Sequence, residues 1–394
     1  MDMSARMWVS RIEISNLAGS NADIAFALNT DVNVFFGDNG SGKTSLLKIL
    51  HAAASNTTDI TDVPFESAKV TLDYFGTFRL ERSIVNKGFG LKADEAAESL
   101  LSKLPSLPSP ATKELNWEST MYVNQNGAFQ PYHPEEKAEY VLPHQYLPTS
   151  RLYLGLQQQN VWEQRQLTEQ ELEQNFAQRI KELWREYNFD LSKAKSDIQE
   201  QGLATIMKDV WSSHNQKTTD TELDLERAYD RVIKFFERQY ITDIVKSFSD
   251  FKSLITVNQY LMDVIRDING IEEAIERAMI PKNQLLEMLA KLYGEKLSLT
   301  FEEKQITVKT REGKEIALGS LSSGQKQLLM VFLRTLMASG KPILIDEPEI
   351  SMHVDWQSDL IGAMHQLSPS TQIIMATHSP EISASVPSEK LFRL

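Results

Sequence analysis

Val32-Asn33-Val34-Phe35-Phe36-Gly37-Asp38-Asn39-Gly40-Ser41-Gly42-Lys43-Thr44-Ser45 passes from an apolar run through a glycine-rich turn into a helical pattern that continues to His51. Its centre, Gly37 to Thr44, fits the pattern G-x-x-x-x-G-K-[ST] in full. The glycines let the backbone bend until successive N–H groups converge on one anion. Lys43 neutralises phosphate charge, and the Thr44 hydroxyl is a hard oxygen ligand for Mg2+. The helix that follows turns its N-terminus, with its unpaired N–H groups, toward the same anion. A chance glycine turn before a helix is the plainer reading. The apolar strand ahead and the amphipathic helix behind favour phosphate binding. Gly37, Asn39, Gly40, Ser41, Gly42, Lys43, Thr44 and Ser45 are therefore the expected cradle.

Working outward, Trp8 to Ile14 alternates like a half-buried strand, and Ile24 to Leu28 reads as a second. Lys69 to Tyr74 and Thr77 to Glu81 alternate around Phe75-Gly76, which predicts a hairpin. Met121 to Val123 meets Asn126-Gly127, another hairpin signal. Lys87 to Lys113 reads as loop with one short helix. From Gln157 to about Tyr293 strand signals vanish and apolar residues take helical spacing, as in Tyr229, Val232, Phe236, Tyr240 and Ile244. Gly202 and Gly270 are expected to break that run, and no strict heptad is long enough for an extended coiled coil. Alternation returns at Leu297 to Phe301 and Ile306 to Val308. Helix, buried strand, helix, buried strand complete the pattern, an α/β arrangement.

Three motifs sit in that last part. Pro342-Ile343-Leu344-Ile345-Asp346-Glu347-Pro348-Glu349 is a buried strand ending in acids, and strand carboxyl ends face the ligand crevice in a doubly wound sheet. Asp346 suits the surroundings of Mg2+, and Glu347 suits orienting and deprotonating an attacking water. Glu349 reads as a cap on the next helix. Leu321-Ser322-Ser323-Gly324-Gln325 opens an amphipathic helix; Ser322 and Gln325 form a capping box, while a serine hydroxyl and free glycine N–H at a helix start also bind phosphate. Gln372 to Ala376 is a second buried strand, followed by Thr377-His378-Ser379-Pro380.

Taken together, these motifs resemble the ABC ATPase superfamily in residue type and in order along the chain. Leu321-Ser322-Ser323-Gly324-Gln325 is similar to the ABC signature. The resemblance implies that Ser322, Ser323, Gly324 and Gln325 contact the γ-phosphate of ATP held by an opposite subunit, and that His378 senses that phosphate. It implies a P-loop NTPase of ABC-ATPase head type with an antiparallel β subdomain and an inserted helical lobe. The head would comprise residues 1–156 and 297–394, and the lobe residues 157–296. Catalytic roles fall to Glu347 and His378, and metal contacts to Thr44 and Asp346, with ATP and Mg2+ as cofactors. His353 stands where ABC transporters usually carry Asp, which resembles AAA-type ATPases of the RecF/SMC and OLD-nuclease neighbourhood, including bacterial anti-phage types. It has a cross-dimer and a packing reading. No clear Q-loop glutamine is evident; Gln145 and the Gln157 to Gln159 run are candidates, and Arg151 of Pro148-Thr149-Ser150-Arg151 is a nucleotide-contact candidate.

The bulk composition narrows the partners. With 54 acids against 41 bases the net charge is -13, opposite in sign to that of a general nucleic-acid binder. Direct nucleic-acid binding is thus not favoured, and a DNA-repair clamp of RecF/SMC type is the alternative. The absence of any cysteine fits a cytoplasmic protein. No apolar run approaches bilayer length, so no membrane association is expected; a transporter subunit would also need a clearer Q-loop. One copy of each half-site per chain predicts a homodimer or higher oligomer with ATP sandwiched between copies. No nuclease-like or TOPRIM-like acidic cluster is evident, so the expectation is an ATPase switch acting on a separate effector, such as a nuclease or toxin. A scaffold that binds without turnover is disfavoured by Glu347.

Overall fold

The structure is a computed structural model and describes residues 8–19, 23–55, 63–72, 76–85, 114–125, 128–132, 142–149, 168–212, 225–238, 247–257, 259–302 and 305–394. Arg151, Gln157 to Gln159 and the Lys87 to Lys113 loop lie outside the described residues. The strands are β1 (Val9–Ser15), β2 (Ile24–Ala27), β3 (Val32–Phe36), β4 (Ser67–Leu72), β5 (Gly76–Val85), β6 (Glu114–Gln125), β7 (Ala128–Tyr132), β8 (Gln145–Leu147), β9 (Leu297–Phe301), β10 (Ile306–Thr310), β11 (Glu315–Ile316), β12 (Ile343–Asp346), β13 (Ile373–Thr377) and β14 (Leu391–Arg393). The α-helices are α1 (Lys43–Ser55), α2 (Glu169–Ser212), α3 (Leu225–Arg238), α4 (Phe248–Val257), α5 (Gln259–Tyr293), α6 (Ser323–Ala338), α7 (Val354–Leu367) and α8 (Pro380–Ala384). They fall into two units, Met1–Leu172 with Leu321–Leu394, and Glu173–Ser320.

In the first unit the apolar runs become the middle of a parallel sheet in the order β14-β3-β13-β12-β8. Every residue of β12 and β13 is buried, which is why these strands read as continuous apolar runs rather than alternating ones. A second, antiparallel sheet has the order β2-β1-β4-β5-β6-β7. There β1 alternates: Ile12 and Ile14 are buried while Arg11 and Glu13 form an ion pair on the other face. The predicted hairpins are present, with Thr71 opposite Thr77 and Gln125 opposite Ala128. Helix α1 lies between the two sheets: its Leu46, Leu47 and Leu50 share one buried cluster with Ile12, Ile14 and Val70 of one sheet and Phe35, Leu344 and Ile374 of the other. Gln372 stitches the sheets together, its amide donating to the carbonyls of Val9 and Asn29 at 2.9 and 2.7 Å while its oxygen accepts from the N–H of Val9 at 2.9 Å.

The second unit holds α3 to α5, most of α2 and a small sheet in the order β11-β10-β9. Ala228, Val232 and Phe235 of α3, Phe251 of α4, and Ile265, Ile268, Ile271 and Ile275 of α5 form its core. Arg231 clamps α3 to α5, donating to Asn269, Glu273 and Glu276 at 2.6 to 2.8 Å. Trp184 of α2 is buried, donates to the Glu302 carbonyl at 2.6 Å and meets the edge of Phe301. The expected breaks at Gly202 and Gly270 do not occur: both lie inside continuous helices of 44 and 35 residues. A glycine costs a helix only about 1 kcal/mol, and Gly202 is closely approached by the Ile271 side chain, so packing outweighs propensity.

Beneath the first unit's sheet edge, His51 of α1 and His144 ahead of β8 touch, Nδ1 to Nε2, at 2.7 Å. Nδ1 of His144 lies 2.8 Å from the Leu142 carbonyl, which can only accept. His144 therefore carries its proton on Nδ1, and neutral His51 donates to its Nε2. Burial, reinforced by the charge of His144, pushes the pKa of His51 down to about 4; burial also lowers that of His144, against the Leu142 hydrogen bond. Unfolded histidines titrate near 6.5, so between that value and about 4 the unfolded chain binds more protons. Stability is complete above pH 6.5 and is lost as the pH falls toward 4. The midpoint of thermal unfolding should fall between pH 7 and pH 5, by roughly 2–4 °C per kcal/mol lost. His51→Gln/His144→Gln should flatten that slope; an unchanged slope would assign the acid sensitivity elsewhere.

Candidate active site

The loop between β3 and α1 wraps the Lys43 side chain. Its ammonium donates to the carbonyls of Gly37 and Asp38 at 2.9 Å each and approaches the Ser41 hydroxyl at 3.4 Å. Lys43 is 4% exposed. Burial lowers its pKa, while the carboxylates of Glu347, Asp346, Asp38 and Glu349 pull the other way; those acids thus converge electrostatically on the loop. Gly42 turns the chain at φ 97° with Leu17 against it, a place with no room for a side chain.

Asp346 ends β12 with no exposed surface. The Thr44 hydroxyl donates to it, 3.2 Å from Oδ1 and 3.0 Å from Oδ2. Thr149, just past β8, also donates to Oδ2. Gln145 does not join this group: it begins β8 level with Ile343 and its amide oxygen accepts from Arg334 at 2.8 Å. In a parallel sheet the functional edge is the carboxyl one, and Gln145 is at the other. Thr149 is the residue that sequence reasoning missed; its signal was a hydroxyl directly after the proline that ends a short strand. Two hydroxyls and a carboxylate make a hard oxygen set of the kind Mg2+ takes alongside phosphate oxygens.

Glu347 adopts φ 46°, the left-handed region that costs a side-chain-bearing residue about 1–2 kcal/mol. It is held there by its N–H, which donates to the Ala376 carbonyl of β13 at 2.8 Å. Its Oε1 lies 3.4 Å from Nε2 of His378. A carboxylate and an imidazole at that separation can share a proton taken from water. Glu349 caps no part of α7. His353 does that, its Nδ1 accepting from the Asp355 N–H at 3.4 Å, with the ring 65% exposed rather than packed. Beside it Ile350 and Val354 are exposed apolar residues.

At the start of α6 the capping box is complete: Ser322 Oγ accepts from the Gln325 N–H at 3.3 Å and Gln325 Oε1 accepts from the Ser322 N–H at 2.9 Å. Because the hydroxyl accepts in the cap, its own proton remains to be donated outward. Ser322 and Ser323 are exposed. Gly324 is buried, and a Cβ there would come within 2.4 Å of the Ser351 carbonyl, so the α6 start and the turn before α7 fit only through glycine.

The sequence model described as an AAA ATPase domain matches residues 7–383. The chain belongs to the AAA ATPase domain family. It is 24% identical over 224 residues to the retron Vc95 probable ATPase of Vibrio cholerae serotype O1 biovar El Tor, a match covering 52% of this chain and 42% of that protein. The chain thus aligns with less than half the length of this curated relative. Among solved structures it is similar to an Smc head domain from Pyrococcus furiosus, with 14% identity, 96% and 92% of the two chains covered and a TM-score of 0.43. It is also similar to one from Pyrococcus yayanosii, with 13% identity, 96% and 94% covered and a TM-score of 0.41. The family match identifies an ATPase domain in this chain. Among its described residues no helix is long and apolar enough to cross a membrane.

Thr149→Val removes one hydroxyl from Asp346 and leaves the loop intact. The Mg2+ concentration that gives half-maximal ATPase activity should rise about 10-fold or more, with stability falling by about 1.5–3 kcal/mol for the hydrogen bond lost to buried Asp346. An unaltered Mg2+ dependence would exclude Thr149 from the metal's surroundings.

Proposed function

We propose that two copies of this ATPase close on ATP and that hydrolysis releases them, so that nucleotide state switches the assembly. The observation that carries this reading is the outward-facing start of α6. Ser322 and Ser323 are exposed and ready to donate, in the same unit as the Lys43, Asp346, Glu347 and His378 constellation. A phosphate-seeking surface that faces solvent calls for a ligand presented by another molecule. The exposed Ile350 and Val354 between the two motifs add apolar area to such a face.

In this reading the cradle of one copy takes the phosphates, and the Lys43 ammonium exchanges the Gly37 and Asp38 carbonyls for phosphate oxygens. Mg2+ near Thr44, Asp346 and Thr149 would neutralise charge on the β- and γ-phosphates. Glu347 accepts a proton from water as the water oxygen attacks the γ-phosphorus. The bond to the β–γ bridging oxygen breaks, leaving ADP and inorganic phosphate. Nε2 of His378, 3.4 Å from Glu347, helps to hold the carboxylate and feels the γ-phosphate leave. Ser322, Ser323 and Gly324 of the second copy, with Gln325 fixing the cap, contact that phosphate from the other side.

The two-copy switch would gate a separate effector in bacterial defence. Similarity to a retron ATPase supports the defence setting, and the net charge of -13 supports a protein partner over nucleic acid.

Lys43→Ala should weaken ATP binding by about 1.5–3 kcal/mol, roughly 10- to 150-fold, measured by calorimetry; unchanged affinity would remove the cradle assignment. Glu347→Gln should lower kcat about 10²–10⁴-fold and accumulate an ATP-bound dimer in sedimentation. A monomer under saturating Mg-ATP would sink the sandwich.

A further inference from the structure

The geometry points to Glu349 as a positioning residue for hydrolysis, acting by anchoring the backbone that carries His378; the inference rests on the proposed roles of Glu347 and His378. Glu349 Oε1 accepts from the N–H of His378 and from the N–H of Ser379, the latter at 3.0 Å. It therefore holds the turn between β13 and α8 from the neighbouring turn after β12. Two residues earlier on that same turn stands Glu347, whose N–H is fixed to Ala376 and whose Oε1 faces the His378 ring. His378 is thus gripped at both ends, by Glu349 at its backbone and by Glu347 at its imidazole. A short closed circuit of two acids and one histidine sets their separation.

The other Glu349 oxygen, Oε2, is buried and takes no hydrogen bond from the described residues. A carboxylate that leaves one buried oxygen without a partner is poor packing if its only task is stability. An anionic acceptor aimed at two successive N–H groups is stronger than a neutral one. The arrangement favours a fixed sensor turn over an optimal core. Ser379 completes it by capping α8, accepting from Ile382 N–H at 3.1 Å, so the turn cannot swing without unwinding the helix start.

The test compares Glu349→Ala, Glu349→Gln, His378→Ala and the Glu349→Ala/His378→Ala double variant in steady-state ATPase assays. Glu349→Ala should lower kcat about 10-fold or more with KM for ATP within about twofold. Glu349→Gln, which keeps an oxygen acceptor, should restore most of the rate. The double variant should be no slower than His378→Ala, because both changes disable one unit. Multiplicative losses in the double variant, full activity in Glu349→Ala, or a loss confined to KM would each overturn the proposal. If Glu349→Ala does not fold, Glu349→Gln decides: wild-type kcat supports the acceptor role, and a tenfold loss with intact folding overturns it. Full activity in His378→Ala would instead count against the His378 assignment, a separate failure.

Discussion

A carboxylate with no exposed surface needs its charge answered locally, or burial would cost several kcal/mol. Asp346 is that group. It is answered by Thr44, 302 positions away, and by Thr149, 197 positions away. These two bonds draw the loop after β3, the exit of β8 and the end of β12 to one edge of the sheet. Lys43 is placed by the same loop, and Glu347 follows Asp346 directly, so the spacing of the remaining groups is set once this junction forms. The strained backbone of Glu347 is tolerable because β13 accepts its N–H.

Local signals made much of this visible beforehand. The cradle is contiguous, and the Asp346-Glu347 pair closes an apolar run whose burial on both faces makes it conspicuous. The pairing of antiparallel strands followed from alternation and turn residues at Phe75-Gly76 and Asn126-Gly127. Thr149 was not legible because its partner lies far along the chain and no periodicity links them. Gln145 misled because residue type was weighed above position: β8 puts it at the amino edge, against Arg334. Glu349 misled as a cap on the next helix: His353 fills that place, and the Glu349 carboxylate reaches N–H groups 29 and 30 positions on, in another turn. Gly202 misled because helix propensity is weak against packing by Ile271, and Gly270 because the cost of one glycine, about 1 kcal/mol, is small within a helix of 35 residues.

The start of α6 shows one set of atoms serving two ends. The capping box satisfies Ser322 and Gln325 within the chain, which makes the helix start rigid before any ligand arrives. A rigid donor loses less entropy on meeting an anion. The close fit of Gly324 under the Ser351 carbonyl ties that start to the turn bearing Ile350 and His353. A shift at one would therefore be felt at the other.

Strand β3 has as its sheet neighbours only β13 and β14, from the far end of the chain, and Val9 is held by Gln372. During synthesis a nascent chain that has emerged through residue 340 carries the cradle segment without either flanking strand. The nucleotide cleft thus cannot assemble before β13 and β14 have been made, with apolar β3 lacking both of its sheet neighbours in the meantime. Such late closure of sequence-distant strands slows folding and leaves a clientele window for chaperones.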